Sequence, residues 1–232
     1  MNPNVVYFPF GREATIQQFS KQFAQKTALD NERGEQTIII FGVARGGTTM
    51  AARVISSLGI DLGEGHNINY EDERFNLQKL GLNPLKDHDA LRSHLLNTIQ
   101  QRNIEHTNWG WKYPNASVYL PLILNNIRNP RLVCIVRDPL ASSSRELRAG
   151  VINQNGNEER NLLKSIHALE TNIALIHQTE IPTFLCSYEK AIHSPSHFVR
   201  SLSRFLGIDS NSEALADALA QIKPGGYLKS QP

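Results

Sequence analysis

The stretch Gly42-Val43-Ala44-Arg45-Gly46-Gly47-Thr48-Thr49 has residue types and spacing that suit an anion. Consecutive backbone N–H groups, unobstructed by side chains, can converge on a phosphate-like group at the positive end of the helix that follows. Gly-x4-Gly followed by two hydroxyl residues is the spacing of a nucleoside-triphosphate loop, but Thr48 stands where such a loop has lysine. That lysine reaches the β- and γ-phosphates, so its replacement argues against ordinary ATP or GTP chemistry. Arg45 returns a positive charge three positions earlier, and an anion site is the expectation; a turn needing glycines only for its geometry is the plainer alternative. A second cation opens Arg137-Asp138-Pro139, where Asp138 can cap a helix and Pro139 can occupy its first turn.

Both segments need elements to hold them. Thr37-Ile38-Ile39-Ile40-Phe41 precedes the glycine loop and Leu132-Val133-Cys134-Ile135-Val136 precedes Arg137; each is a short apolar run that reads as a buried strand. Thr183-Phe184-Leu185-Cys186 reads as a third. After the loop, Ala51, Val54, Ile55 and Leu58 fall on one helical face with Gly59 as a stop. Further helices are expected over 14–27, over 87–102 with Leu91, Leu95 and Ile99 in register, and around Phe198, Leu202 and Phe205, with a last one at 212–222. The longest spans 158–178, with Leu162, Ile166, Leu169, Ile173 and Ile176 as its apolar stripe. Asp61 to Asn76 is polar and irregular and is expected to run over the surface as a loop. Short apolar strands alternating with helices predict an α/β three-layer sandwich with a central, mostly parallel sheet. Ligands of such sheets bind beyond the carboxyl ends of the strands, where the glycine loop and Arg137 both fall.

Composition narrows the partners. The 232 residues carry 24 Lys plus Arg against 22 Asp plus Glu, a balance that excludes a strongly basic nucleic-acid-coating protein. No apolar run approaches the roughly 20 residues a membrane span requires, and the first residues lack a secretory pattern, so a cytoplasmic protein without a transmembrane anchor is expected. Cys134 and Cys186 lie in apolar runs, which excludes a disulfide scaffold. No repeat, low-complexity tract or linker divides residues 1–232, and a single domain is expected. No metal site is expected: the cysteines are singletons, and without the loop lysine the usual reason for Mg²⁺ is missing.

Gly42-x-x-Arg45-Gly46-Gly47-Thr48-Thr49 resembles the phosphosulfate-binding loop of sulfotransferases, where a lysine or arginine precedes [Ser/Gly]-Gly-Thr-Thr. Asn129 to Pro139 is similar to that family's second signature, a strand leading into Arg-[Asp/Asn]-Pro. Gly110-Trp111-Lys112-Tyr113-Pro114 resembles its Lys-x-Pro strand end, and Ser187-Tyr188-Glu189-Lys190 with Arg204-Phe205-Leu206-Gly207 resembles its Tyr-Glu and Phe-Leu-Gly region. The four segments cover about residues 37–207 in the family's order. The resemblance implies a P-loop nucleoside triphosphate hydrolase-like (sulfotransferase) fold and a soluble enzyme. It would transfer a sulfuryl group from 3′-phosphoadenosine 5′-phosphosulfate (PAPS), giving 3′-phosphoadenosine 5′-phosphate (PAP), to a hydroxyl or amine of a small-molecule or glycan acceptor.

Carried over position by position, Arg45 and the amides of Gly46, Gly47, Thr48 and Thr49 would hold the 5′-phosphosulfate. Arg137 would hold the 3′-phosphate and Tyr188 would lie near the adenine. The family places a serine eight positions after the signature arginine; that position here is Arg145, with Ser144 one step short, so either could serve. Lys112 matches the family's catalytic lysine and would stabilise charge growing on the leaving oxygen. The acceptor must lose a proton. Glu64, His66, Glu71 and Asp72 lie in the polar loop where related enzymes keep their base, with Glu71 ranked first and His66 second. Two other readings stay open: a P-loop kinase, and a non-catalytic nucleotide-binding protein.

Overall fold

The computed structural model describes residues 5–7, 34–64, 69–148, 158–208 and 211–223. The helix expected over 14–27, and His66, lie outside them. The strands are β1 (Val5–Tyr7), β2 (Gln36–Gly42), β3 (Asn108–Lys112), β4 (Pro130–Val136) and β5 (Thr183–Ser187). The helices are α1 (Thr48–Ser57), α2 (Leu77–Leu80), α3 (His88–Glu105), α4 (Pro139–Arg148), α5 (Glu158–Gln178), α6 (Tyr188–His193), α7 (Pro195–Phe205) and α8 (Ser212–Ala220). One sheet has the order β1-β5-β4-β2-β3, and every pairing in it is parallel.

The apolar runs become strands because the sheet is covered on both faces, so neither set of alternating side chains meets water. All seven residues of β2 are buried. Ile38, Ile40, Val133, Ile135, Phe184 and Cys186 face one layer, where they pack against α1, α7 and the end of α8. Ile39, Phe41, Leu132, Cys134, Trp109 and Trp111 face the other, against α3, the short 3₁₀ turns after β3 and the C-terminal part of α5. Trp109 and Trp111 are core residues, and Phe75 stacks on Trp111 with ring centroids 4.3 Å apart.

Two expectations are corrected. The segment from Asp61 to Asn76 is not a surface loop along its described length: Leu62, Asp72, Phe75 and Asn76 are buried. Its start pairs with β3, where the amide of Gly110 donates to the carbonyl of Asp61 at 2.8 Å. Leu62 and Phe75 are too far apart in sequence to register as a periodic pattern, yet each fills the core. Helix α5 has the expected ends but a different inner face. It buries Asn161, Ser165, Asn172, Leu175 and Ile176 and leaves Ile166 and Ile173 exposed. The turn is set by where Leu175 and Ile176 enter the second core layer, which periodicity within the helix cannot register.

Candidate active site

The site grows from the ends of β2, β3, β4 and β5, which parallel pairing brings to one edge. After Gly42 the chain turns through Val43 to Gly47 and enters α1. The amide of Gly46 donates to the carbonyl of Val43 at 2.8 Å, closing the turn. That amide is therefore committed to the loop, which leaves Gly47, Thr48 and Thr49 as the amides that open the helix, where first-turn N–H groups lack intrahelical partners. Gly47 is required twice over. Its φ of +102° disfavours any Cβ, and a Cβ there would stand 2.3 Å from the Tyr188 ring. Arg45 takes φ +58°, a left-handed conformation rare for a long side chain, and exposes that side chain. Thr48 is buried; Thr49 is half-buried, its Oγ1 3.5 Å from the carbonyl of Asn69.

From the end of β4, Arg137 reaches back to this loop. Its Nη1 donates to the carbonyl of Arg45 at 3.1 Å, its guanidinium lies 4.5 Å from the Tyr188 ring centroid, and its Nε is 3.8 Å from Glu189 Oε1. Asp138 caps α4 as expected, accepting from the amides of Leu140 and Ala141 at 2.7 and 3.2 Å. On α4 Ser144 is exposed, whereas Ser142 and Ser143 are buried. Arg145 lies within the same helix, and its side chain is not among those described.

Lys112 ends β3 almost wholly buried, at 2% exposure. Its Nζ is 2.6 Å from Glu71 Oε1, and Asn76 Nδ2 donates to Glu71 Oε2 at 2.9 Å. Burial holds the Lys112 ammonium below the ordinary lysine range; the Glu71 carboxylate opposes that shift and the positive charge of Arg45 adds to it. Burial, with Glu71 nearby, pushes the Tyr113 hydroxyl up.

The candidate bases separate. Asp72 is 1% exposed and spent on Arg74, accepting from its backbone amide at 3.0 Å and from Nε and Nη2 at 3.0 and 2.7 Å. Glu64 is exposed, and among the described candidates Glu71 alone lies against Lys112. Sequence reasoning passed over two residues here, Asn76 and Glu189. Asn76 carried no signal. Glu189 stood in the Tyr-Glu pair without a role.

No family model matches the chain, and no curated protein matches it in sequence. Solved structures do match in fold. A sulfotransferase from Mycobacterium avium superposes with a TM-score of 0.56 at 12% identity, over 91% of this chain and 73% of that one. A mouse sulfotransferase complexed with PAP gives 0.52 at 14% identity, over 91% and 74%. The sulfotransferase domain of the Synechococcus PCC 7002 olefin synthase gives 0.51 at 15%, over 85% and 82%. A parallel sheet covered on both faces, a glycine loop entering a helix at its edge and these superpositions lead to one statement: this chain has the sulfotransferase fold, an α/β three-layer sandwich of the P-loop type.

Proposed function

We propose that the protein is a sulfotransferase that uses PAPS and sulfates a hydroxyl or amine of a small-molecule or glycan acceptor. One observation carries the reading: Arg137, 92 positions away in sequence, donates to the carbonyl of Arg45 and stacks beside Tyr188, whose ring closes on Gly47. A doubly anionic adenosine donor needs two cationic grips joined by an aromatic face, and a triphosphate loop does not.

The residues present fit that donor. The glycines allow the close packing of the loop against Val43, Ile135 and the Tyr188 ring, and Arg45 and Arg137 supply positive charge although Thr48 stands at the lysine position. Arg45 with the amides of Gly47, Thr48 and Thr49 would hold the 5′-phosphosulfate, while the committed amide of Gly46 shapes the turn. Arg137 would hold the 3′-phosphate, joined by Ser144 or Arg145, and Tyr188 would face the adenine. PAPS supplies the activated sulfuryl group. Lys112 and Arg45 place positive charge where the leaving oxygen becomes negative, and single fixed donors of this kind are worth about 3 kcal/mol. Glu71 is the first candidate to accept the acceptor's proton and His66 the second. Sulfuryl transfer of this type asks for position and charge, so no metal is required of these residues.

Titration with PAP and with ATP plus Mg²⁺ tests the reading. Binding of PAP with little affinity for ATP supports it; tight ATP–Mg²⁺ binding with none for PAP points to the kinase reading and ends this one. A nucleotide-binding protein without chemistry is the other reading, and one observation favours it: both Glu71 oxygens already have partners in Lys112 and Asn76. Slow PAPS hydrolysis that stops in Lys112→Ala and Glu71→Ala distinguishes the enzyme from that binder.

A further inference from the structure

Glu189 puts a negative charge on the arginine that should meet a phosphate, and its contacts say why. Oε2 accepts from Ser187 Oγ at 2.8 Å, and Oε1 accepts from the amide of Asp138 at 3.3 Å and lies 3.8 Å from Arg137 Nε. Ser187 in turn caps α6, its Oγ accepting from the amide of Lys190 at 3.4 Å. Glu189 is therefore tied to the ends of both β4 and β5, by one backbone amide and one side-chain hydroxyl. Glu189 lies near Nε of Arg137, the Arg45 carbonyl accepts from Nη1 and the Tyr188 ring lies against the guanidinium face. The side chain of Glu189 is 49% exposed, so solvent screens its charge and the ion pair adds little attraction. Orientation is what remains. A planar guanidinium discriminates by the angle of its donor fork, and a fork held before the ligand arrives loses less entropy on binding.

We propose that Glu189 is a positioning residue for Arg137, aiming the guanidinium and thereby setting the preference for a 3′-phosphorylated adenine nucleotide over one lacking that phosphate. The inference rests on the sulfotransferase reading for the identity of the ligand. Glutamine at 189 keeps an oxygen for the Asp138 amide, still beside Arg137 Nε, and an amide for Ser187 Oγ; alanine keeps neither.

Calorimetric titration of PAP and of adenosine 5′-phosphate into the wild-type protein, Glu189→Ala and Glu189→Gln gives the test. The alanine variant should lose on the order of tenfold in PAP affinity with adenosine 5′-phosphate unchanged, and the glutamine variant should stay within about twofold of wild type for both. An unchanged PAP preference in Glu189→Ala overturns the proposal. So does tighter PAP binding in both variants, which would make Glu189 a competitor of the phosphate. A wild-type protein with no PAP preference would instead sink the sulfotransferase reading. A ligand-free measurement then still decides the role of Glu189. The Arg137 Nε–H resonance, assigned by its loss in Arg137→Lys, should be in slow exchange with water in wild type and Glu189→Gln. It should broaden away in Glu189→Ala, and its persistence there would refute the positioning role.

Discussion

Removing the charge of Glu71 while keeping its shape should damage the fold more than removing the charge of Lys112, although each change breaks the same ion pair. Lys112 is 2% exposed and Glu71 16%. In Glu71→Gln the ammonium stays in the core without a counter-charge, which costs roughly 3–5 kcal/mol. In Lys112→Met the carboxylate keeps the Asn76 amide at 2.9 Å and some access to water, so the loss should be about 1–2 kcal/mol. For a chain of this size, at ~2–4 °C per kcal/mol, these figures translate to roughly 6–20 °C in melting temperature for Glu71→Gln and roughly 2–8 °C for Lys112→Met.

The pH dependence follows from the direction of the Lys112 shift. Burial is its largest cause and lowers the folded value from the ordinary 10.5, while Glu71 resists. The unfolded chain then binds more protons than the native one between the lowered folded pKa and 10.5, so this group makes stability rise with pH across that window. Glu71→Gln removes the resisting charge and extends the window downward, so its penalty should shrink from pH 7 to pH 9.5. Urea unfolding followed by circular dichroism at both pH values measures this. A larger loss in Lys112→Met than in Glu71→Gln, or a Glu71→Gln penalty that ignores pH, would refute the reasoning.

Arg137→Ala should weaken PAP binding by ~2–4 kcal/mol, because a charged, hydrogen-bonded partner is lost; calorimetry showing equal affinity in the variant would contradict the assigned role. Gly47→Ala combines a +102° φ with a Cβ 2.3 Å from the Tyr188 ring. It should cost about 1–3 kcal/mol in stability and abolish nucleotide binding, and a variant that melts and binds like wild type would show that the loop–ring contact is absent. Cys134 and Cys186 are buried free thiols whose ionisation burial pushes up. Ellman's reagent should leave both untouched in the native protein and modify both in urea; prompt native labelling would mean the sheet is more open than this packing allows.

Helix α5 and the Asp61–Asn76 segment mark where reading the chain stopped being enough. The ends of α5 were legible from its composition, but its inward face was not, since Ile166 and Ile173 form as regular a stripe as the residues that are buried. Within the candidate site the glycine loop, Arg45 and Arg137 were legible because each follows an apolar run that reads as a strand, whereas Lys112 and Tyr188 were picked out by the resemblance to the sulfotransferase motifs. Asp72 and Glu71 are adjacent, alike in charge and indistinguishable by spacing. One is consumed by Arg74, two positions on, and the other crosses to Lys112, 41 positions on.

The residues alone determined the units at the glycine loop and at Arg137-Asp138-Pro139, and hence that Arg45 and Arg137 follow strand ends, but not the strand that ends in Lys112. Those outcomes follow from neighbours a few positions apart: β-branched runs that prefer an extended chain, glycines that permit a turn, an Asp-Pro that starts a helix. Only the tertiary structure decided that Arg137 meets the carbonyl of Arg45, that Glu71 pairs with Lys112 and that Glu189 lies 3.8 Å from Arg137. Those pairings depend on the order β1-β5-β4-β2-β3, which lays distant strand ends side by side, and on burial that makes an unpaired charge too costly to leave alone.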